Sequence, residues 1–272
     1  MINSSMAIRI MVMLVFVSFF LMQEILAQNS FHNYYNYLWG SDHFSVDPQG
    51  TQVQLLMDKS YGAGFRSKLE YRSGLFHIRM KIPERKTGGI VTSFYLTSAP
   101  DNQDPGNHYE LDFEFLGTNG TVQTNVYNND GGHREQSFNL WFNPSEDFHT
   151  YEILWNSHQI VFLVDYIPIR VFNNNYAHGI DYPSKPMHIE ASVWNADWSG
   201  TVDWSQAPFI ARFQDFGFKA CPASLGPRCN RLNYWQFGNG QLQKMKQYRR
   251  LYMTYDYCAQ PYTAKPECAF NK

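Results

Sequence analysis

HYELDFEFLG, residues 108–117, is the stretch on which the reading of the whole chain turns. Glu110, Asp112 and Glu114 alternate there with Tyr109, Leu111, Phe113 and Phe115. Period-two alternation in β-preferring residues predicts a half-buried strand over 109–116, closed by Gly117. Successive strand side chains point to opposite faces, so the three acids share one face and the apolar residues the other. Three anions aimed the same way are electrostatically costly unless something uses them. A plain solvated face is the usual fate of a charge run, but such faces mix Lys, Thr and Ser with the acids, and here no cation intervenes. A calcium site draws about six or more oxygens, with Asn and carbonyl groups of a flexible loop among them, which ranks metal binding below acid–base chemistry. No metal and no cofactor is called for. Paired carboxylates suit glycoside cleavage, in which one attacks the sugar and the other, its pKa raised, protonates the leaving oxygen.

Outward from this stretch the chain reads as many short strands, at 53–57, 74–82, 89–97, 122–127, 137–142, 150–155, 160–164, 167–172, 187–194 and 209–218. Turn signals separate them: Pro105-Gly106, Asn129-Asp-Gly-Gly132, Asn143-Pro144, Asp165-Tyr166 and Pro183-Ser184. This spacing predicts an all-β fold, a sandwich or jelly roll. One helix-like piece stands out, QLQKMKQYRRL at 241–251. The expected organisation is a leader at 1–27, a β-jelly-roll domain at 28–219 and a small disulfide-tied extension at 220–272.

Arg9 precedes an apolar run over 10–22 broken only by Ser18, and Ala27 follows as a small residue suited to cleavage. That pattern predicts a secretory signal peptide, the run being too short for the roughly 20 residues that span a bilayer. The expected mature protein is secreted, with no membrane partner. The chain's four cysteines, Cys221, Cys229, Cys258 and Cys268, fit an oxidising compartment. Local spacing suggests Cys221–Cys229 and Cys258–Cys268 among the three possible pairings. Asn119 begins the only N-x-S/T sequon of the mature chain and is the candidate glycosylation site. A net charge of −2 with no basic motif excludes nucleic acid as the expected partner. Aromatic residues make up 17%, which leans towards a neutral polymer rich in CH faces. A monomer is expected.

Polar residues cluster beside the acids. Gln123, Thr124 and Asn125 carry hydroxyl and amide groups on what should be the neighbouring strand, where they can hold sugar hydroxyls. His133, Arg134 and Glu135 follow a Gly-Gly turn and include a forked donor. The alternative for both groups is a polar sheet face with a salt bridge. Trp194 and Trp198 lie near a strand end and are candidates for stacking on sugar rings, whereas Trp141 and Trp155 alternate with polar residues and are expected in the core.

With these blocks in view, the chain resembles the plant xyloglucan endotransglucosylase/hydrolase family of glycoside hydrolase family 16. The resemblance runs from about residue 35 to the C-terminus. Its supports are HYELDFEFLG (108–117), QTNVY (123–127), REQSFNLWFNP (134–144), FHTYEILWN (148–156), VDYIPIRVF (164–172), YPSKPM (182–187), WNADW (194–198), DWSQAPF (203–209) and YDYC (255–258). It implies a concanavalin-like jelly roll of two antiparallel sheets and a retaining mechanism. Glu110 would be the nucleophile, Asp112 its assistant and Glu114 the general acid/base. It further implies substrate binding by Glu114, Gln123, Thr124, Asn125, His133, Arg134, Glu135, Asp197, Trp198 and Gly200. The implied substrates are a xyloglucan donor and a xyloglucan acceptor in the plant cell wall, with both cysteine pairs matching the family's C-terminal extension on the acceptor side. Within that frame a plain endo-β-glucanase is the alternative enzyme, and a glycan-binding sandwich without activity is the alternative outside enzymes.

Geometry adds a requirement. Glu110 and Glu114 are about 13 Å apart along an ideal flat strand, whereas retention brings the carboxyls to about 5–5.5 Å. The side chains must therefore lean together over Asp112. This chain also departs from the family pattern. Tyr109 replaces the usual Asp or Asn, the loop between Gly117 and Gln123 is shortened, WNADWSGT (194–201) lacks an Asp and an Arg, and no Arg follows YDYC.

Overall fold

The structure is a computed structural model and describes residues 30–84, 86–100, 106–117, 120–226 and 239–271. The leader expected over 1–27, Asn119 and Cys229 lie outside these residues.

Two antiparallel sheets stack face to face. The acid-bearing sheet runs in the order β1 (Tyr35–Trp39), β4 (Ala63–Ser67), β13 (His188–Asn195), β6 (Ile90–Thr97), β7 (His108–Leu116), β8 (Thr121–Asp130), β9 (Gln136–Asn139) and β16 (Met253–Asp256). The second sheet runs β12 (Ile167–Asn173), β11 (Gln159–Val164), β10 (His149–Trp155), β5 (Tyr71–Lys81), β14 (Phe209–Gln214), β3 (Gln52–Met57) and β2 (Phe44–Val46), with β15 (Phe218–Pro222) beside β5. This is the jelly-roll sandwich that the alternation predicts.

The alternating residues of β7 show how the layers close. Leu111, Phe113 and Phe115 are fully buried. The Phe113 ring meets Tyr151 of β10 and Phe162 of β11 edge-on at 5.6 and 5.2 Å, and Phe115 meets Tyr151 at 5.1 Å. Edge-to-face packing suits aromatic quadrupoles, and each such side chain contributes about 1.5–3 kcal/mol through burial. With its apolar half locked into the core, β7 presents its acids on the opposite, outer face. Tyr109 belongs to the inner set: it is buried in the core cluster, and its hydroxyl donates to Asp181 at 2.8 Å.

Several elements differ from the expectation. The stretch 209–218 is two strands, because Asp215 adopts φ 59° and breaks the ladder between β14 and β15. β1, β2, β4 and β16 are short strands that the apolar pattern did not reveal. The helix-like piece is a helix, Asn239–Tyr252, which packs on β12 and β9 with Met245 buried. Its Arg249 donates to the Gln136 side chain at 2.8 Å and pairs with Asp256 at 3.1 Å. Trp155 is in the core as expected, while Trp141 is half-buried against Tyr248 of the helix. Beyond the helix, β16 adds the last strand to the acid-bearing sheet, and Cys258 and Cys268 form a disulfide. Cys221 is also disulfide-bonded.

Candidate active site

The ladder register lays the outer face of the acid-bearing sheet out in rows. Thr97 of β6 and Tyr127 of β8 flank Glu110, Tyr95 and Asn125 flank Asp112, and Ser93 and Gln123 flank Glu114. The three carboxyls line one small pocket of about 170 Å³, together with Ser93, Tyr95, Ser192 and Trp194. An adjoining cavity of about 740 Å³ holds Glu110 and Glu114 with Gln123, Asn125, Tyr127, Glu135, Ser137, Trp194, Trp198 and Tyr255. The acids thus face a walled cleft, and Asp112 is only 4% exposed, which excludes the solvated-face alternative.

Burial raises the pKa of two of them. Glu114 is pushed up from its ordinary 4.5 to about 7, first by desolvation and then by the charges of Glu110 and Glu135. Asp112 is pushed well up by desolvation and by its two acidic neighbours, against a smaller opposing pull from the Arg170 cation. Asp112 is hydrogen-bonded to Glu110, and that bond adds to the upward shift.

His108 completes the arrangement on the other side of Glu110. Its Nδ1 is 2.9 Å from the Gly106 carbonyl oxygen and therefore donates to it. Its Nε2 faces the Glu110 carboxylate at 3.5 Å, and contact with that acid raises the His108 pKa. The ring stacks on Tyr127 with centroids 4.9 Å apart. A protonated imidazole satisfies both contacts, because the neutral tautomer that donates from Nδ1 offers only a lone pair at Nε2. The even-numbered position of His108, two residues before Glu110, was the available signal.

The other expected binding residues divide. Gln123, Asn125, Glu135 and Trp198 line the cleft, with Trp198 62% exposed and 6.1 Å from the Trp194 ring. His133 and Asp197 are exposed, and His133 has a left-handed backbone at φ 61°. Thr124 does not face the cleft. It pairs with Phe113, points inward and is fully buried, its hydroxyl donating to the Gln136 carbonyl oxygen and accepting from Arg170. Arg134 is buried too, at 5% exposure. Its guanidinium is buried against Glu267 at 2.6 Å and Asp130 at 2.9 Å, with further bonds to the carbonyl oxygens of Val126 and Gly132. It clamps the C-terminal segment onto the β8–β9 connection. Gly200 has φ 121°, and a Cβ there would come within 3.2 Å of the Gly88 backbone, so glycine keeps two loops together beside the cleft. Arg170 of β12, which the sequence reading did not single out, crosses the core beneath the site to hold the Thr124 carbonyl oxygen at 2.8 Å.

Comparison with known proteins places this arrangement in a class. The family model for glycosyl hydrolases family 16 matches residues 31–210. Among solved structures, a prokaryotic β-1,3-1,4-glucanase (lichenase) derived from a mouse hindgut metagenome is 27% identical, with a TM-score of 0.57 over 70% of this chain and 93% of that one. The Bacillus licheniformis β-glucanase is 25% identical, with a TM-score of 0.57 over 69% and 92%. The class is therefore that of jelly-roll enzymes acting on glycosidic bonds. At finer grain, the chain is 49% identical over 247 residues to xyloglucan endotransglucosylase/hydrolase protein 3 of Arabidopsis thaliana, covering 82% of each. It is 44% identical to protein 2 of that set, over 86% of this chain and 87% of the relative. The chain belongs to the xyloglucan endotransglucosylase/hydrolase family of glycosyl hydrolases.

Proposed function

We propose that the protein is a secreted enzyme that cuts the β-1,4-glucan backbone of xyloglucan and passes the cut end to a second xyloglucan chain, remodelling the plant cell wall. The observation that carries this reading is the carboxyl row itself, in which Glu110, Asp112 and Glu114 share one pocket and burial raises Glu114 to about 7. A group poised near neutrality both gives and takes a proton, as a two-step displacement requires.

In the first step the Glu110 carboxylate attacks the anomeric carbon while Glu114 gives its proton to the departing glycosidic oxygen. That bond breaks as the Glu110–sugar ester forms. In the second, ionised Glu114 takes a proton from the acceptor hydroxyl, whose oxygen displaces Glu110 from the sugar. Asp112 donates to Glu110 and His108 balances its charge, which together hold the nucleophile in place. Gln123, Asn125, Glu135 and Trp198 suit the acceptor sugars, with Asp197 and His133 at the rim. The apolar leader at 1–27 and the disulfides support export to the wall, and Asn119 is the proposed glycan site. A hydrolase on the same backbone is the second reading, favoured by the trimmed loop WNADWSGT, because a weakly held acceptor leaves the ester to water.

The test supplies purified protein with xyloglucan, with and without a fluorescent xyloglucan oligosaccharide, and reads label incorporation and new reducing ends together. Incorporation without reducing ends, abolished in Glu110→Ala, is expected. Reducing ends alone would make the protein a hydrolase, and neither signal would overturn the enzyme reading.

A further inference from the structure

One row of the outer face extends far beyond the carboxyls. Through successive ladder pairs Glu114 aligns with Ser93 of β6, Ser93 with Ser192 of β13, Ser192 with Gly64 of β4, and Gly64 with Trp39 of β1. On the opposite side the row passes from Gln123 through Ser137 to Tyr255 of β16. Between Glu114 and Trp39 the row carries only Ser, Ser and Gly, all buried, and the Trp194 indole lies against it, donating to the Ser93 hydroxyl at 3.2 Å. One edge of this trough is a tied polar wall, in which Arg66 and Tyr95 both donate to Glu190, Tyr95 at 2.7 Å.

Trp39 is set at the end of that trough by two independent features. The pairing of β1 with β4 shifts between Tyr37 and Trp39, so Trp39 rather than Leu38 stands opposite Gly64. Such bulges re-aim a side chain. Phe65 points into the core, so Gly64 faces outward, and a Cβ on Gly64 would lie 2.7 Å from the Trp39 Nε1 and 3.0 Å from its Cε2. The indole therefore lies directly over Gly64 on the outer face, where only glycine admits it, and it remains 37% exposed.

We propose that Trp39 is a stacking platform for the distal end of the donor, the β-linked glucan backbone on the side of the cleft away from Tyr255. The proposal rests on the glucan-cutting reading and assigns it a far subsite. Four strand spacings of about 4.8 Å separate Trp39 from the Glu114 strand, about 19 Å in all. That is the reach of several sugar rings, so only donors long enough to cross the trough touch the indole. An exposed aromatic face at the end of a row of small residues suits the CH faces of pyranose rings.

The test uses Glu110→Ala protein, so that binding is measured without turnover, and titrates xyloglucan oligosaccharides of increasing backbone length by calorimetry. Trp39→Ala in that background is expected to weaken the long oligosaccharides by about three- to tenfold. Short ones should be unchanged, and Trp39→Phe should recover most of the loss. In otherwise wild-type protein the same change should raise KM for polymeric donor and leave KM for the labelled acceptor unmoved. Equal affinities for all lengths in both proteins, or a loss that falls equally on short oligosaccharides, overturns the proposal. Wild-type activity on xyloglucan is scored separately, so failure of the enzyme reading is not confused with failure of the platform.

Discussion

Replacing Glu114 by Gln keeps the shape of the side chain and removes its titration, which isolates what the raised pKa costs the fold. The rise from 4.5 to about 7, at about 1.4 kcal/mol for each pH unit, is worth about 3 kcal/mol between the two protonation states. Because the folded pKa lies above the unfolded one, the folded protein holds the proton more tightly. The contribution to stability is fully present below about pH 4.5 and is lost as pH rises to about 7. At pH 8 wild-type protein therefore carries a half-buried carboxylate without a cationic partner to offset its desolvation, whereas the Gln variant does not. Thermal unfolding should find Glu114→Gln close to wild type at pH 4.5 and more stable at pH 8 by up to about 3 kcal/mol, or about 6–12 °C for a domain of this size. Transfer activity should be lost in the same protein, a functional group held at the expense of stability. Equal melting temperatures at pH 8 would refute the claim that burial and the neighbouring acids strain Glu114.

The same carboxyl sets a kinetic limit: kcat/KM for wild-type protein should fall about tenfold per pH unit above about 7. Glu135→Gln removes one of the charges that raise Glu114 and should move that limb to lower pH, and an unmoved limb in the full pH profile would contradict the assigned cause. Arg134→Ala leaves Glu267, 1% exposed, without its cationic partner. Breaking a buried pair in this way should cost about 3–5 kcal/mol, read as a lower urea midpoint with an unchanged slope.

The central strand was legible because its alternation is strict and its inner residues are large. Phe113 and Phe115 leave no second way to place β7, and the acids follow to the other face. β1 and β4 were not legible, because YNYLW and AGFRS are too short and too mixed to carry a period, although Trp39 and Gly64 sit on them. Thr124 illustrates the opposite failing. The rule that separates Glu110 from Leu111 also separates Thr124 from Gln123 and Asn125, so the strand pattern already turned it inward, while the family resemblance carried all three residues together. Arg134 could not have been resolved this way, since its partner Glu267 lies on the far side of the chain and only the packed C-terminal segment brings the two together. The upward shift of Asp112 was out of reach for a related reason. It depends on desolvation by the surrounding sheet and on Arg170, which arrives from the second layer.

The earliest and the latest strands of the sandwich, β1 and β16, are the two outermost strands of a single sheet. The middle of the gene thus encodes the acid row proposed to break the bond, and segments near its two ends encode how far the sheet extends to either side. Substrate length preference can then drift, or be engineered, by exchanging those flanking segments while β7 and its neighbours are left untouched. On the proposed function, the donor and acceptor ends of the groove become separately adjustable traits.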